Sequence, residues 1–466
     1  MKKVLFISLA LVLALSISLV GCGGGGPVGP TPSSTIVLAA AVSETGPLQE
    51  VHELAKMPIV DTYLALNPTI TVGGTTFDVE IVYKNDGSSL ANMLDFTDEI
   101  IDDINDGDAH FLLGPTCTAF LEAQAPKCTT AGVVQMTFEG GATSLFPLLS
   151  AYKYSFVNLS FSNWFQIPVL AKLLKEAHVA YNATDTPNAY IGYQNDDHGL
   201  EYLAEAQKYF GKEGIVIDGS YPMDSGDTGA NADLIAAAKA AGSDILCVFA
   251  YPEHVFGTHA VAAAQDYNPK AMIIGPGGNF GVYSAPFIAG AAAEGVMCFA
   301  VGNNKTTVGN VADVILTMET EVGMWNTDYW GHPLYWTAMD FIYAAAAEVG
   351  SDNAGAGFTI DQTEYREFLA TEKIDSVLGE TYYVTPKYAL NATQYGWAGG
   401  DLEWPVPEDK AGLISYKLHT GQIGQWQDGY IEIVGYDGIG GVGDEYGLVN
   451  YDVTDTFVYP KPDWPS

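Results

Sequence analysis

Beyond residue 34 the chain alternates short, continuously apolar runs with longer segments whose apolar residues recur every three to four positions. Runs of the first kind mark strands buried on both faces; segments of the second kind mark helices that bury one side. Strands are predicted at residues 35–42, 78–83, 110–114 and 133–137, with a helix over 90–104 among them. A second series follows at 189–193, 215–219, 244–250, 271–275 and 295–300, separated by helices over 198–210, 230–241 and 255–267. Strictly alternating strands and helices place successive strands in parallel. The expected architecture is α/β, with two doubly wound lobes built on mainly parallel sheets and a break between them near residues 154–162. Further helices are expected over 308–322, 332–349 and 365–371. From residue 380 Gly, Tyr, Trp and Pro dominate, and strand-like pieces remain only at 413–418 and 430–434.

The start of the chain follows another pattern. Lys2 and Lys3 precede a largely apolar run over residues 4–20, and Leu19-Val20-Gly21-Cys22 closes it. A charged start, a short apolar core and small residues are what a signal peptidase cleft accepts, and the run is barely long enough to span a bilayer. The pattern resembles the bacterial lipobox, which implies a signal peptide over 1–21 and a lipidated Cys22. Two acyl chains anchor a protein without a spanning helix, since each buried methylene contributes about 0.8 kcal/mol. Residues 22–34, rich in Gly and Pro, have no apolar periodicity and read as a tether. The remainder is expected outside the cytoplasm, held at the cell membrane or an outer membrane.

Charge narrows the choice of partners. The chain carries 19 basic against 56 acidic residues, a formal charge of −37, and the signal segment holds two of the lysines. Arg366 is the single arginine, so the guanidinium forks that usually grip phosphate are missing and nucleic acid is excluded. Most of the acids read as a solvated face. Cys117 and Cys128 bracket one short segment and are able to form a disulfide in an oxidising compartment, whereas Cys247 and Cys298 sit in apolar runs as core residues. No metal-binding cysteine spacing, GxSxG elbow, HExxH helix or GxxxxGK[ST] loop occurs, which speaks against an enzyme and gives no cofactor or metal assignment. The glycines of 438–443 follow no strand–helix context and read as an irregular turn.

Several segments together resemble the type I solute-binding proteins of ABC importers, in particular the leucine/isoleucine/valine-binding branch. They are Ser43-Glu44-Thr45-Gly46-Pro47-Leu48 after the first strand, Gly114-Pro115-Thr116-Cys117-Thr118 opening a helix, and Asn195-Asp196-Asp197-His198-Gly199. Ala250-Tyr251-Pro252-Glu253, Gly275-Pro276, Ala293-Glu294-Gly295-Val296 and Gln425-Trp426-Gln427-Asp428-Gly429 complete the set, spread over residues 36–434. The resemblance implies two lobes joined by three crossings, a small solute held between them, delivery to ABC permease subunits, and a monomer. The division expected is 35–157 with 303–385 for the first lobe, 158–302 with 386–434 for the second, and 435–466 as an irregular or β-rich extension. The alternative is a ligand sensor with the same two lobes, or a structural surface lipoprotein, without a transport role.

Strand-end geometry points to the same region, because ligands of open α/β sheets bind beyond the carboxyl ends of the strands, where helix N-termini converge. Thr118 begins the helix after one such strand, with a plain helix cap as the bland alternative. Gly141, Ala142 and Thr143 repeat that arrangement, and the resemblance implies ligand contacts there. From the second lobe, His198 and Tyr251 match aromatic contacts of the family. One position departs from the pattern. Relatives that bind amino acids place a glutamate after the Gly-Pro turn to pair with the ligand's ammonium, where this chain has Gly277. Burying an ammonium unpaired is costly, so Glu139 or Glu253 must replace it, or the solute is a carboxylate, an amide or another small polar molecule.

Overall fold

A computed structural model of the chain describes residues 35–49, 56–115, 117–137, 153–157, 162–275, 283–307, 309–353, 357–384, 413–415, 423–434 and 455–465. The first sheet contains β1 (Thr35–Val42), β2 (Thr69–Val72), β3 (Thr75–Asn85), β4 (Phe111–Leu113), β5 (Gln135–Thr137) and β6 (Ser155–Val157). The second contains β7 (Asn188–Gln194), β8 (Val216–Met223), β9 (Ile245–Phe249), β10 (Ala271–Gly275) and β11 (Met297–Phe299). Later segments add the hairpin β12 (Gly350–Asn353) and β13 (Gly357–Ile360), then β14 (Ile374–Ser376), β15 (Gly379–Val384), β16 (Leu413–Ser415), β17 (Ile423–Gln427) and β18 (Tyr430–Val434).

The first sheet runs β14-β15-β16-β6-β5-β4-β1-β3-β2 and the second β18-β17-β11-β10-β9-β7-β8. All neighbours from β6 to β3, and from β11 to β8, are parallel. The central strands are apolar on both faces because helices cover both: β9 (ILCVF) and β10 (AMIIG) are buried at every position. Antiparallel pairs occupy the margins, β2 with β3, β14 with β15, β15 with β16, and β17 between β11 and β18. The chain passes between the lobes three times, after β6, after β11 and before β17. One expected boundary shifts. Residues 413–415, placed by sequence in the second lobe, pair with Val157 and with β15 in the first sheet, so the described return to the second lobe begins at Ile423. A three-residue edge strand carries no periodicity that would assign it to either sheet.

The end of the chain is an irregular strap on the second lobe. Gln425 and Gln427, both buried in β17, donate their amides to the Val458 and Thr456 carbonyls, and Val458 N–H returns a bond to Gln425. Trp464 Nε1 donates to the Tyr267 carbonyl. Gly295 makes room for the strap: its φ is +76°, and a Cβ there would stand 2.5 Å from Pro462 Cδ. Among the described residues, no helix is long and apolar enough to cross a membrane.

Candidate functional site

Both sheets reverse their strand order at one point. In the first, β1 lies between β3 and β4; in the second, β7 lies between β8 and β9. Loops leave such a switch point in opposite directions and open a crevice at the carboxyl ends of the strands. The crevice edge of the first lobe is formed by Ser43 after β1, Asp86 after β3 and Gly114 after β4. That of the second lobe is formed by Gln194 at the end of β7 and Tyr251 after β9.

Asp86 organises the first-lobe edge. Ser43 Oγ donates to its Oδ1 at 2.6 Å and Ser88 N–H to the same oxygen at 2.7 Å, while its Oδ2 has no hydrogen-bond partner. Burial raises its pKa above the usual carboxylate value, against those hydrogen bonds and the charge of Lys56. Lys56 is fully buried and donates to the Gly114 carbonyl at 2.7 Å. The loop after β1 is locked by Ser88, whose hydroxyl donates to the Thr45 carbonyl and accepts from Leu48 N–H. At Gly46, where φ is +92°, a Cβ would lie 2.7 Å from Ser88 Oγ and 2.8 Å from the Gly87 carbonyl oxygen, so glycine alone fits.

Thr118 is the first residue of the helix Thr118–Ala131 and is 4 % exposed. The N-cap position belongs to Cys117, in extended conformation, and no side chain caps the first turn. Thr118 is thus buried in the helix start, one position past the cap. Cys117 and Cys128 are free thiols, which corrects the disulfide reading. They stand at the start and in the third turn of one helix, about 16 Å apart along its axis at about 1.5 Å per residue. A bridge needs Cα atoms within about 7 Å. The two thiols also belong to different apolar clusters, Cys117 with Ala41, Leu48, Met93 and Phe120, and Cys128 with Ile100 and Val133.

In the second lobe Asp196 caps the helix Asp197–Glu213, its Oδ1 accepting from Gly199 N–H at 3.1 Å. Its other oxygen accepts from the Tyr251 hydroxyl at 2.8 Å, and Tyr251 N–H donates to Gln194 Oε1. The His198 ring stacks on Tyr251, with centroids 5.9 Å apart and planes 13° from parallel, and sets its edge against Tyr202. Burial lowers the His198 pKa despite the nearby Asp196 carboxylate, so the imidazole is neutral near pH 7. Tyr251 then reaches across: its ring packs on the first-lobe cluster of Ala41, Leu48, Met93, Cys117 and Phe120. His198, Tyr251 and the start of the Thr118 helix are therefore one assembly.

Glu253 is oriented elsewhere. Its Oε1 accepts from Ser225 Oγ at 2.9 Å and Gly226 N–H at 3.0 Å, which fastens a loop of its own lobe. Gly141, Ala142, Thr143, Gly277, Glu139 and Cys22 lie outside the described residues. Sequence reasoning did not single out Lys56 or Asp86. Asp86 had a signal, an Asn-Asp-Gly turn directly after a strand; Lys56 is a lone basic residue in no motif and is placed by tertiary packing.

No protein-family model and no curated protein sequence matches the chain. Solved structures do match along most of its length. A leucine-binding protein from Thermotoga maritima is 15 % identical with a TM-score of 0.60, covering 85 % of this chain and 97 % of its own. A solute-binding protein of an ABC transporter from Rhodopseudomonas palustris, in complex with benzoate, is 13 % identical with a TM-score of 0.64 over 86 % and 96 % of the two chains. An ABC transporter substrate-binding protein from Desulfitobacterium hafniense, in complex with Leu, is 15 % identical with a TM-score of 0.57 over 86 % and 99 %. The two sheets, their reversed strand orders and the three crossings thus compose the type I periplasmic binding protein fold, the fold of the leucine-binding proteins.

Proposed function

We propose that the protein is an extracytoplasmic solute-binding protein, anchored by lipid on Cys22, that captures a small polar molecule between its lobes and delivers it to an ABC-type permease without altering it. The observation that carries this reading is Tyr251, held by Asp196 and His198 in one lobe and seated on the other beside the Thr118 helix. A side chain so placed couples closure of the lobes to the contents of the crevice. The solute is an amino acid, an amide or a carboxylate. The uncapped amides at the start of the Thr118 helix and the buried Lys56 ammonium favour a carboxylate on it. Contacts from Gly141, Ala142, Thr143 and Gly277, implied by the family resemblance, belong to the same proposal. Leucine and benzoates, bound by proteins of the same fold, are the first solutes to try.

A thermal-shift screen of the purified protein against amino acids, amides and aromatic and aliphatic carboxylates tests the reading. A true ligand at 100 times its dissociation constant stabilises the fold by about 2.7 kcal/mol. The stabilisation must shrink in Tyr251→Ala; a panel that shifts neither protein speaks for a structural lipoprotein.

A further inference from the structure

We propose that the second lobe carries a binding site for a divalent transition-metal ion of the zinc class, at the end opposite the solute crevice, formed by His178, Asp185 and Asp244. His178 lies in the last turn of the helix Ser162–Tyr181. Asp185 precedes β7 and Asp244 precedes β9, so both stand at the amino ends of parallel strands. One ligand atom from each of the three residues falls within a sphere where all lie within 4.8 Å of one another.

The imidazole argues for a metal rather than for a simple acidic patch. The His178 side chain has no exposed surface, and its Nε2, aimed at Asp185 Oδ2 3.8 Å away, has no hydrogen-bond partner. Leaving a buried ring nitrogen unpaired is costly unless something fills the place. Its Nδ1 is 2.7 Å from the Tyr459 hydroxyl of the C-terminal strap. With Nδ1–H donating to that oxygen, Nε2 presents its lone pair to the two carboxylates, the orientation that a metal-ligating histidine receives from its outer partner.

Lys270 is the cation now serving the site. Its Nζ is 2.9 Å from Asp244 Oδ1 and 3.8 Å from Asp185 Oδ2, and it lies 5.7 Å from the centre of the Tyr181 ring. It neutralises the carboxylates but leaves the imidazole nitrogen unmatched. One nitrogen and two carboxylates suit zinc, with bonds of about 2.0–2.2 Å, better than calcium or magnesium, which take oxygen. The half-exposed Asp185, whose Oδ1 accepts from Thr186 N–H at 3.0 Å, turns its Oδ2 inward for the contraction this needs, and the ammonium moves out to solvent. Because Tyr459 backs the imidazole, an occupied site holds the strap to the lobe.

Calorimetric titration of the chelator-stripped full chain with Zn2+, and with Mg2+ as the measure of unspecific binding to so acidic a surface, is the test. One saturable Zn2+ equivalent beyond the Mg2+ background is expected, weakened at least tenfold in His178→Gln and in Asp185→Asn. Tyr459→Phe should cost about tenfold, in the range for outer-partner loss, and Lys270→Met should tighten binding. Asp185→Asn changes a half-exposed side chain and keeps the test valid if His178→Gln does not fold. Zn2+ binding no stronger than Mg2+, or a zinc equivalent retained in the folded His178→Gln or in Asp185→Asn, overturns the proposal.

Discussion

Gly199→Ala is the sharpest probe of how the crevice edge is built. Gly199 lies in the first turn of the helix that carries His198, and its amide is the one that Asp196 caps. A Cβ at this position would stand 2.0 Å from the Gln194 carbonyl oxygen, 2.5 Å from Gln194 N and 2.7 Å from its carbonyl carbon. An ordinary contact begins at 3.4 Å, so the helix start must retreat by 1.4 Å from the end of β7, and the obstacle is backbone that cannot swing aside. Overpacking of this kind costs about 1–3 kcal/mol. Straining the cap adds about 1 kcal/mol. The better helix propensity of alanine returns up to about 1 kcal/mol. The net expectation is a loss of about 1–3 kcal/mol, read by denaturant unfolding at constant slope, together with weakened ligand binding because Asp196 and His198 move with the helix. Gly211→Ala in the same helix is the control: nothing lies within 4 Å of its Cβ, so it should be neutral or stabilising by up to about 1 kcal/mol. If Gly199→Ala is as stable as Gly211→Ala, the close seating of the helix on β7 is refuted.

Tyr251→Phe keeps the stacked ring but removes the hydroxyl that donates to Asp196, and should weaken ligand binding by about 1–2 kcal/mol by calorimetry; affinity equal to wild type removes that bond from the mechanism. Titration of thiols in the unfolded, unreduced protein should find Cys117, Cys128, Cys247 and Cys298 all reactive, and a reductant-dependent gain of two would restore the disulfide. Burial raises the Asp328 pKa to about 6, against hydrogen bonds from Gly331 and Trp330 N–H. The folded state then binds more protons than the unfolded one between about pH 4 and 6, so the stability from this group is present below that window and is lost as pH rises through it. At about 1.4 kcal/mol per pKa unit the loss is roughly 3 kcal/mol. Asp328→Asn should flatten the profile only in part, since burial pushes Asp340 up to about 6 as well; an unchanged profile contradicts the assignment.

The strands most legible in the sequence are those buried on both faces. Thr35–Val42 and Ala271–Gly275 begin and end where they were expected, because covered strands have no polar face to break the pattern. Of the β2–β3 hairpin only residues 78–83 were read; β2 and the turn went unread although Gly73-Gly74 marks it, since β2 alternates with polar residues at the sheet margin. Ile423–Gln427 was hidden for another reason: all five residues are buried, yet three of them, Gly424, Gln425 and Gln427, look like loop, and the strap satisfies the two amides. At the site, Tyr251 and His198 were visible as residues after strand ends. The bond from Tyr251 to Asp196 and its reach to Cys117 and Phe120 join segments far apart in the chain, which no local pattern encodes.

Small-angle X-ray scattering of the purified protein, with its solute removed and then restored at saturation, tests lobe closure most directly. Closure of the lobes gives a smaller radius of gyration with solute and an expanded form in Tyr251→Ala without it. Identical curves with and without a bound solute would contradict it.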